Sequence, residues 1–233
     1  MTERKQKIAE KKVAEKSKYN DIVPDSNQGD HVVGVLVTLN STQEYYNKNA
    51  KEYFERTKNN VQFDLLNAFI GLIDKNEMIL DLGCGSGNSL KIMKEMGHTV
   101  TGVDNASDLI EYARIFTNVE IYNLNMADVE KVNDFVRHLD VKHIFANASL
   151  THLTKQEFIF FMDKIKIPLY FYFSLKEGKG ESFDKSGRFF AHYTKEEIEK
   201  ILNIRFDNLY FTLSKDRMKR KLKWLNWIVR LKR

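Results

Sequence analysis

The 233-residue sequence has one cysteine, Cys84, which excludes a disulfide framework and a cysteine-based zinc site and suits a reducing compartment. Its six histidines are scattered, with no H-x-x-x-H or C-x-x-C pair, so no metal constellation is expected. No apolar run approaches the length of a membrane span, and the opening MTERKQKIAEKK lacks the apolar core of a signal peptide. A cytoplasmic location without a transmembrane segment is the expectation. An apolar fraction of 42% and an aromatic fraction of 12% are too high for a disordered chain.

The net charge of +5 hints at nucleic acid until it is divided by position. Residues 1–18 hold seven Lys/Arg and three Glu, and residues 215–233 hold nine Lys/Arg and one Asp. The segment between them is therefore acidic, at −7. An acidic body disfavours a long phosphate-tracking groove, so nucleic acid is an unlikely partner without being excluded.

Residues 1–40 read as a charged extension and linker, with turn formers around Pro24 and Gly29 and a short β-prone run at 31–40. From Ser41 onward a domain is expected to span 41–233. Helices are expected from Ser41 and over 61–73, with Tyr46, Ala50 and Tyr53 on one face of the first. Strands at 78–83, 98–104, 119–125, 141–149 and 168–176 then alternate with helices at 106–116, 128–138 and 154–165. After a polar loop, Thr194 and Glu197 form a capping-box pair for a helix at 194–202. Strands at 205–213 and 221–232 close the chain. An amphipathic membrane-surface helix is the rival reading of that tail. The alternation predicts a doubly wound α/β sheet whose ligands lie beyond the carboxyl ends of its strands.

One strand end is distinctive. Asp81-Leu82-Gly83-Cys84-Gly85-Ser86-Gly87 follows an apolar strand and opens a helix, so backbone and helix N–H groups can approach a ligand closely. The order G-x-G-x-G, with an acid two residues before the first glycine, differs from the G-x-G-x-x-G of a pyrophosphate site. An acid there suits a cationic ligand. Asp104, at the end of the next strand, is placed to accept from a ribose diol.

The stretch ILDLGCGSGNSLKIMKEMGHTVTGVDNASDLIEYAR resembles motifs I and II of the class I S-adenosylmethionine-dependent methyltransferases. The resemblance covers the chain from about Ser41. It implies a Rossmann-like, doubly wound, mostly parallel seven-stranded sheet with an antiparallel last strand, and S-adenosylmethionine as cofactor. It further implies that Gly83, Cys84 and Gly85 line the amino-acid end of the cofactor, that Asp81 orients that end, and that Asp104 holds the ribose; Gly87 and Asn105 are also expected to bind the cofactor. Asn125-Met126 is favoured for the adenine pocket, with Asp128 as rival; the alternative for Asp128 is a helix cap. Tyr46 and Tyr53 would close over the methionine moiety, and Asn147 would line the pocket.

On the acceptor side, ASLTHL and SLKEGKGESFDKSGRFFAHY resemble small-molecule methyltransferases related to tellurite-resistance and thioether-forming enzymes. The Asn-Pro-Pro-Tyr type of ending is missing after the fourth strand, which counts against DNA adenine and protein glutamine. His152 past that strand end is a candidate base, against a packing role. Arg188 is a candidate clamp for an anionic group, against a salt bridge to Glu181 or Asp184. Tyr193 completes the catalytic candidates. A small-molecule acceptor is expected. An RNA or protein methyltransferase anchored by the basic termini, and a catalytically silent cofactor-binding partner, are the alternatives. The oligomeric state is not legible.

Overall fold

The computed structural model describes residues 41–167, 169–216, 218 and 220–232. The extension expected over 1–40, and the β-prone run within it, lie outside the described residues. A helical segment over 41–48 leads into α1 (Ala50–Thr57) and α2 (Phe63–Ile70). Then follow β1 (Met78–Leu82), α3 (Asn88–Glu95), β2 (Thr99–Asp104), α4 (Ser107–Thr117), β3 (Ile121–Asn123), α5 (Val129–His138) and β4 (Val141–Ala146). A single 3₁₀ turn (Leu150–His152) precedes α6 (Lys155–Lys164), β5 (Tyr170–Glu177), β6 (Glu181–Phe183), β7 (Phe189–Tyr193), α7 (Lys195–Arg205), β8 (Phe206–Lys215) and β9 (Lys223–Leu231).

The alternation expected from the sequence becomes a parallel order β3-β2-β1-β4-β5, reversing direction of growth at β1. This places the ends of β1, β2 and β4 around one crevice, the usual ligand position of an open α/β sheet. Strands β1 and β4 are buried along almost their whole length, as sheets covered on both faces require. Ile79, Leu90, Met93, Ile110 and Ile121 pack with Leu66, Phe69 and Phe145 into one core cluster. Phe54 of α1 stacks on Tyr112 of α4 at 5.5 Å, so α1 is held against the helix that follows β2.

Nine strands are present among the described residues, two more than expected. The additions are β6 and β7, which pair antiparallel in a region that reads as a polar loop. The reason is physical: β6 is a three-residue exposed strand and carries no buried face to betray it. At the other end, β9 lies antiparallel between β5 and β8, and six consecutive residues from Trp224 to Val229 are buried. The Lys/Trp-rich tail is thus a central strand, covered on both sides. Capping boxes start α6 at Thr154 and α7 at Thr194, each with both reciprocal bonds to a glutamate three residues on.

Candidate active site

The crevice is a cavity floored by the turn between β1 and α3 and lined in part by Tyr46, Tyr53, Gly83, Cys84, Gly85, Asp104, Asn105, Asn125, Met126, Asn147 and His152. The floor is tied down by its backbone. The N–H groups of Gly83 and Cys84 both donate to the carbonyl of Val103 in β2, at 2.8 and 3.0 Å. Gly83 has φ of 74°, and a Cβ there would overlap the Cβ of Ser149, whose hydroxyl donates to the Leu82 carbonyl at 2.6 Å. Gly87 serves packing: it starts α3 with φ of 74°, and a Cβ would come within 2.6 Å of Thr117 Cγ2. Gly87 is therefore part of the helix seam and not of the cavity lining. Gly85 is the opposite case, because the nearest atom to its hypothetical Cβ is Tyr53 Cε1 at 3.9 Å. That open space is what close approach of a ligand to the backbone needs.

Two acids set the electrostatics. Asp104 accepts from the N–H groups of Gly85 (2.9 Å) and Ala106 (3.0 Å) and faces the cavity. Burial raises its pKa, and those backbone donors hold the rise in check. Asp81 lies under the turn, only 3% exposed, and does not line the cavity. Burial first, and the Asp104 charge second, push its carboxyl up to about 8. A cation at this end of the cavity would relieve both acids. The open Gly85 backbone and this unneutralised acid pair fit an aminoalkyl sulfonium such as S-adenosylmethionine.

Tyr46 and Tyr53 meet edge to face at 4.9 Å over the turn. Their own hydroxyls are kept protonated by burial. Tyr46 also contacts His152, with 3.0 Å between its hydroxyl and Nε2, while Nδ1 lies 2.8 Å from the carbonyl oxygen of Phe189. A carbonyl only accepts, so Nδ1 carries the proton and Nε2 accepts from Tyr46. Burial lowers the His152 pKa to about 4, which makes it a neutral ring.

Arg188 and Tyr193 do not line the cavity. Arg188 donates to Asp184 through Nε (3.0 Å) and Nη2 (2.6 Å), one of the two salt bridges considered for it, and lies over the Tyr45 ring at 4.6 Å. Tyr193 is 1% exposed and packs on Phe158 at 5.2 Å, with its hydroxyl unpartnered among the described residues. Asp128 also stays out of the cavity. Its side chain caps α5 by accepting from the Lys131 N–H at 3.3 Å, while Asn125 and Met126 line the wall.

The sequence reading missed a whole wall. Asp216, Met218, Arg220 and Trp224, from the β8–β9 connection, line the cavity. Asp216 accepts from Arg220 Nε (3.1 Å) and Nη2 (2.6 Å) and from Trp224 Nε1 (3.2 Å). The Asp-x-x-x-Arg-x-x-x-Trp spacing was the available signal. Asn88 was also missed; it clamps the end of α1 by donating to the carbonyls of Thr57 (3.2 Å) and Asn60 (2.9 Å).

Residues 79–166 match a family described as a methyltransferase domain. No curated protein matches the sequence. Among solved structures, a SAM-dependent methyltransferase from Anabaena variabilis superposes with a TM-score of 0.67 at 16% identity, covering 90% of this chain and 97% of its own. The 1,6-didemethyltoxoflavin-N1-methyltransferase of Burkholderia thailandensis, bound to 1,6-didemethyltoxoflavin and S-adenosylhomocysteine, gives 0.59 at 18% identity, covering 91% and 93%. The DhpI–S-adenosylhomocysteine complex gives 0.56 at 17% identity, covering 83% and 97%. The fold is therefore the Rossmann-like methyltransferase fold, and its β1–β4 segment carries the match to a methyltransferase domain.

Proposed function

We propose that residues 41–233 form a methyltransferase domain that transfers the methyl group of S-adenosylmethionine to a small-molecule acceptor. Bound S-adenosylmethionine supplies an electrophilic methyl group for in-line displacement. In this reading Asp104 orients the ribose, and the Gly83–Gly85 backbone holds the amino-acid end, with Asp81 beneath. Tyr46 and Tyr53 exclude water above it, and positioning accounts for most of the acceleration.

The observation that carries the small-acceptor reading is the aromatic lining of the cavity. Tyr46, His152 and Trp224 bring aromatic walls to it from three distant parts of the chain, and the β8–β9 connection covers one side. Such a site suits a compact ligand more than a polymer. A finer kinship, to the tellurite-resistance and thioether-forming enzymes, rests on the sequence around Lys176, Gly178, Gly180, Gly187, Arg188, Phe189 and Phe190. Residues 1–40 are proposed to be an extension outside the catalytic domain. Among the described residues no helix is long and apolar enough to cross a membrane; a cytoplasmic site of action is part of the proposal.

The test is S-adenosylhomocysteine binding by calorimetry, followed by S-adenosylmethionine turnover with pooled small thiols, phenols and amines against transfer RNA and ribosomal RNA. Turnover confined to small acceptors supports the reading. Methylated RNA with silent small acceptors would overturn it, and cofactor binding without any product would favour a silent cofactor-binding protein.

A further inference from the structure

Resting on the methyltransferase reading, we propose that the acceptor carries a negatively charged oxygen or sulfur group, received by the side-chain amide N–H groups of Asn147 and by the positive charge of Lys176.

The first observation is the orientation of the Asn147 amide. The N–H of Ala148 donates to Ser174 Oγ at 2.7 Å, which uses that oxygen as an acceptor and leaves its proton to be directed elsewhere. It goes to Asn147 Oδ1 at 3.0 Å. From a second direction the Tyr172 hydroxyl lies 3.3 Å from the same Oδ1 and 3.0 Å from Oδ1 of Asn226. Asn226 is itself locked, because its Nδ2 donates to the carbonyls of Thr212 and Trp224, each at 3.0 Å. The Tyr172 hydroxyl has a single proton, which Asn226 Oδ1 takes at 3.0 Å, so the Ser174 hydroxyl, itself set by the Ala148 N–H, is what orients Asn147. Its oxygen is engaged inward, and its Nδ2, without a hydrogen-bond partner among the described residues, belongs to a residue that lines the cavity. An amine needs an acceptor for its N–H; this residue offers it donors instead.

The second observation is the charge balance on the same side. Ser174 and Lys176 share a face of β5, and Lys176 stands opposite Trp224 of β9, which lines the cavity. Arg188 is matched by Asp184, and Arg220 by Asp216. Lys176 has no ion pair among the described residues; it is 7% exposed, with Nζ 2.9 Å from the centroid of the Phe190 ring. Phe190 in turn contacts His152 at 4.7 Å. Burial, then Arg220 and Arg188, bring the Lys176 pKa down to about 7, as expected of a cation still lacking its anion. His152 contributes no charge, being neutral. Lys176 does not itself line the cavity but adjoins Trp224, which does, so this wall has an unpaired ammonium beside it and an oriented hydrogen-bond donor in it, which together call for an anionic guest.

Two matched probes test this on the full chain saturated with S-adenosylhomocysteine: benzoate, and the similarly sized benzylammonium. The cofactor product occupies its own carboxylate site, so any benzoate effect is separate from it. The readout is the side-chain amide NMR signal of Asn147, identified by its loss in Asn147→Asp. Benzoate is expected to shift that signal and benzylammonium to leave it in place, and Lys176→Met is expected to weaken benzoate at least fivefold while still binding S-adenosylhomocysteine. A shift with benzylammonium, no shift with either probe, or undiminished benzoate binding in Lys176→Met overturns the proposal. The wild-type comparison decides alone should Lys176→Met not fold. Failure to bind S-adenosylhomocysteine at all would instead strike the methyltransferase reading.

Discussion

The Tyr46 hydroxyl donates to Nε2 of His152 across 3.0 Å, linking the segment before α1 to the 3₁₀ turn after β4. The bond occupies the lone pair that a general base would need. Were His152 nonetheless to act as a base, Tyr46→Phe would release that lone pair. If the bond is structural, Tyr46→Phe loosens the roof and lowers kcat/KM, with KM for S-adenosylmethionine rising severalfold. A pH profile separates the cases: with a pKa of about 4, His152 should contribute no limb between pH 5.5 and 8.

His152 also has a consequence for stability. Its folded pKa of about 4 lies below the ordinary 6.5, so the unfolded chain binds the extra proton between those values. The contribution is complete above about pH 6.5 and is lost as pH falls towards 4. Denaturant melts of wild type and His152→Gln across that window should converge at the acid end.

Asp81 gives the opposite sign. Its folded pKa of about 8 lies above the ordinary 3.8, so the native state holds the proton and loses stability as pH rises from 4 through 8. Asp81→Asn should therefore raise Tm relative to wild type at pH 8 while weakening S-adenosylmethionine binding. If a cationic ligand draws that proton off, calorimetry at pH 7 in buffers of different ionisation enthalpy will report proton release on binding.

Gly83→Ala and Gly85→Ala should separate packing from ligand approach. At Gly83 a methyl group meets Ser149 in a left-handed backbone, and a loss of about 1–3 kcal/mol is expected in chemical unfolding. At Gly85 the backbone is also left-handed (φ 54°), at a cost of about 1 kcal/mol, but the methyl points into open space, so the further damage should fall on S-adenosylhomocysteine affinity. Equal loss of stability at both positions would contradict the distinction.

Tyr193→Phe removes a buried hydroxyl that has no partner among the described residues. Stability should stay the same or rise by up to about 1 kcal/mol, with turnover within twofold of wild type. A large loss of kcat would restore Tyr193 as a catalytic residue.

What was legible in the sequence is what depends on neighbours along the chain. The run from Met78 to Gly87 shows strand, turn and helix within ten residues, and Asp104 ends the next apolar strand, so the floor of the cavity could be read directly. Thr194 and Glu197 announce their helix in the same local way. Long-range partnerships left no such trace. Asp184 is close to Arg188 in sequence, yet only the β6–β7 hairpin makes it the chosen partner, and that hairpin reads as a loop because β6 buries nothing. Asp128 was ambiguous because capping and ligand contact ask for the same side chain. The wall from Asp216 to Trp224 was hidden because its place depends on β9 entering the sheet beside β5.

That entry has a thermodynamic corollary. The methyltransferase-domain match ends at residue 166, before β5 begins, whereas Tyr172 pairs with Ile228, more than fifty residues downstream. The cavity is therefore closed by a contact of high sequence separation, whose loop-closure entropy must be offset before Trp224 and Asn226 can do anything for the site. Asn226 holds the Tyr172 hydroxyl beside Asn147, and Trp224 lines the cavity, so a weakened last strand would disturb this wall while leaving the β1–α3 turn in place.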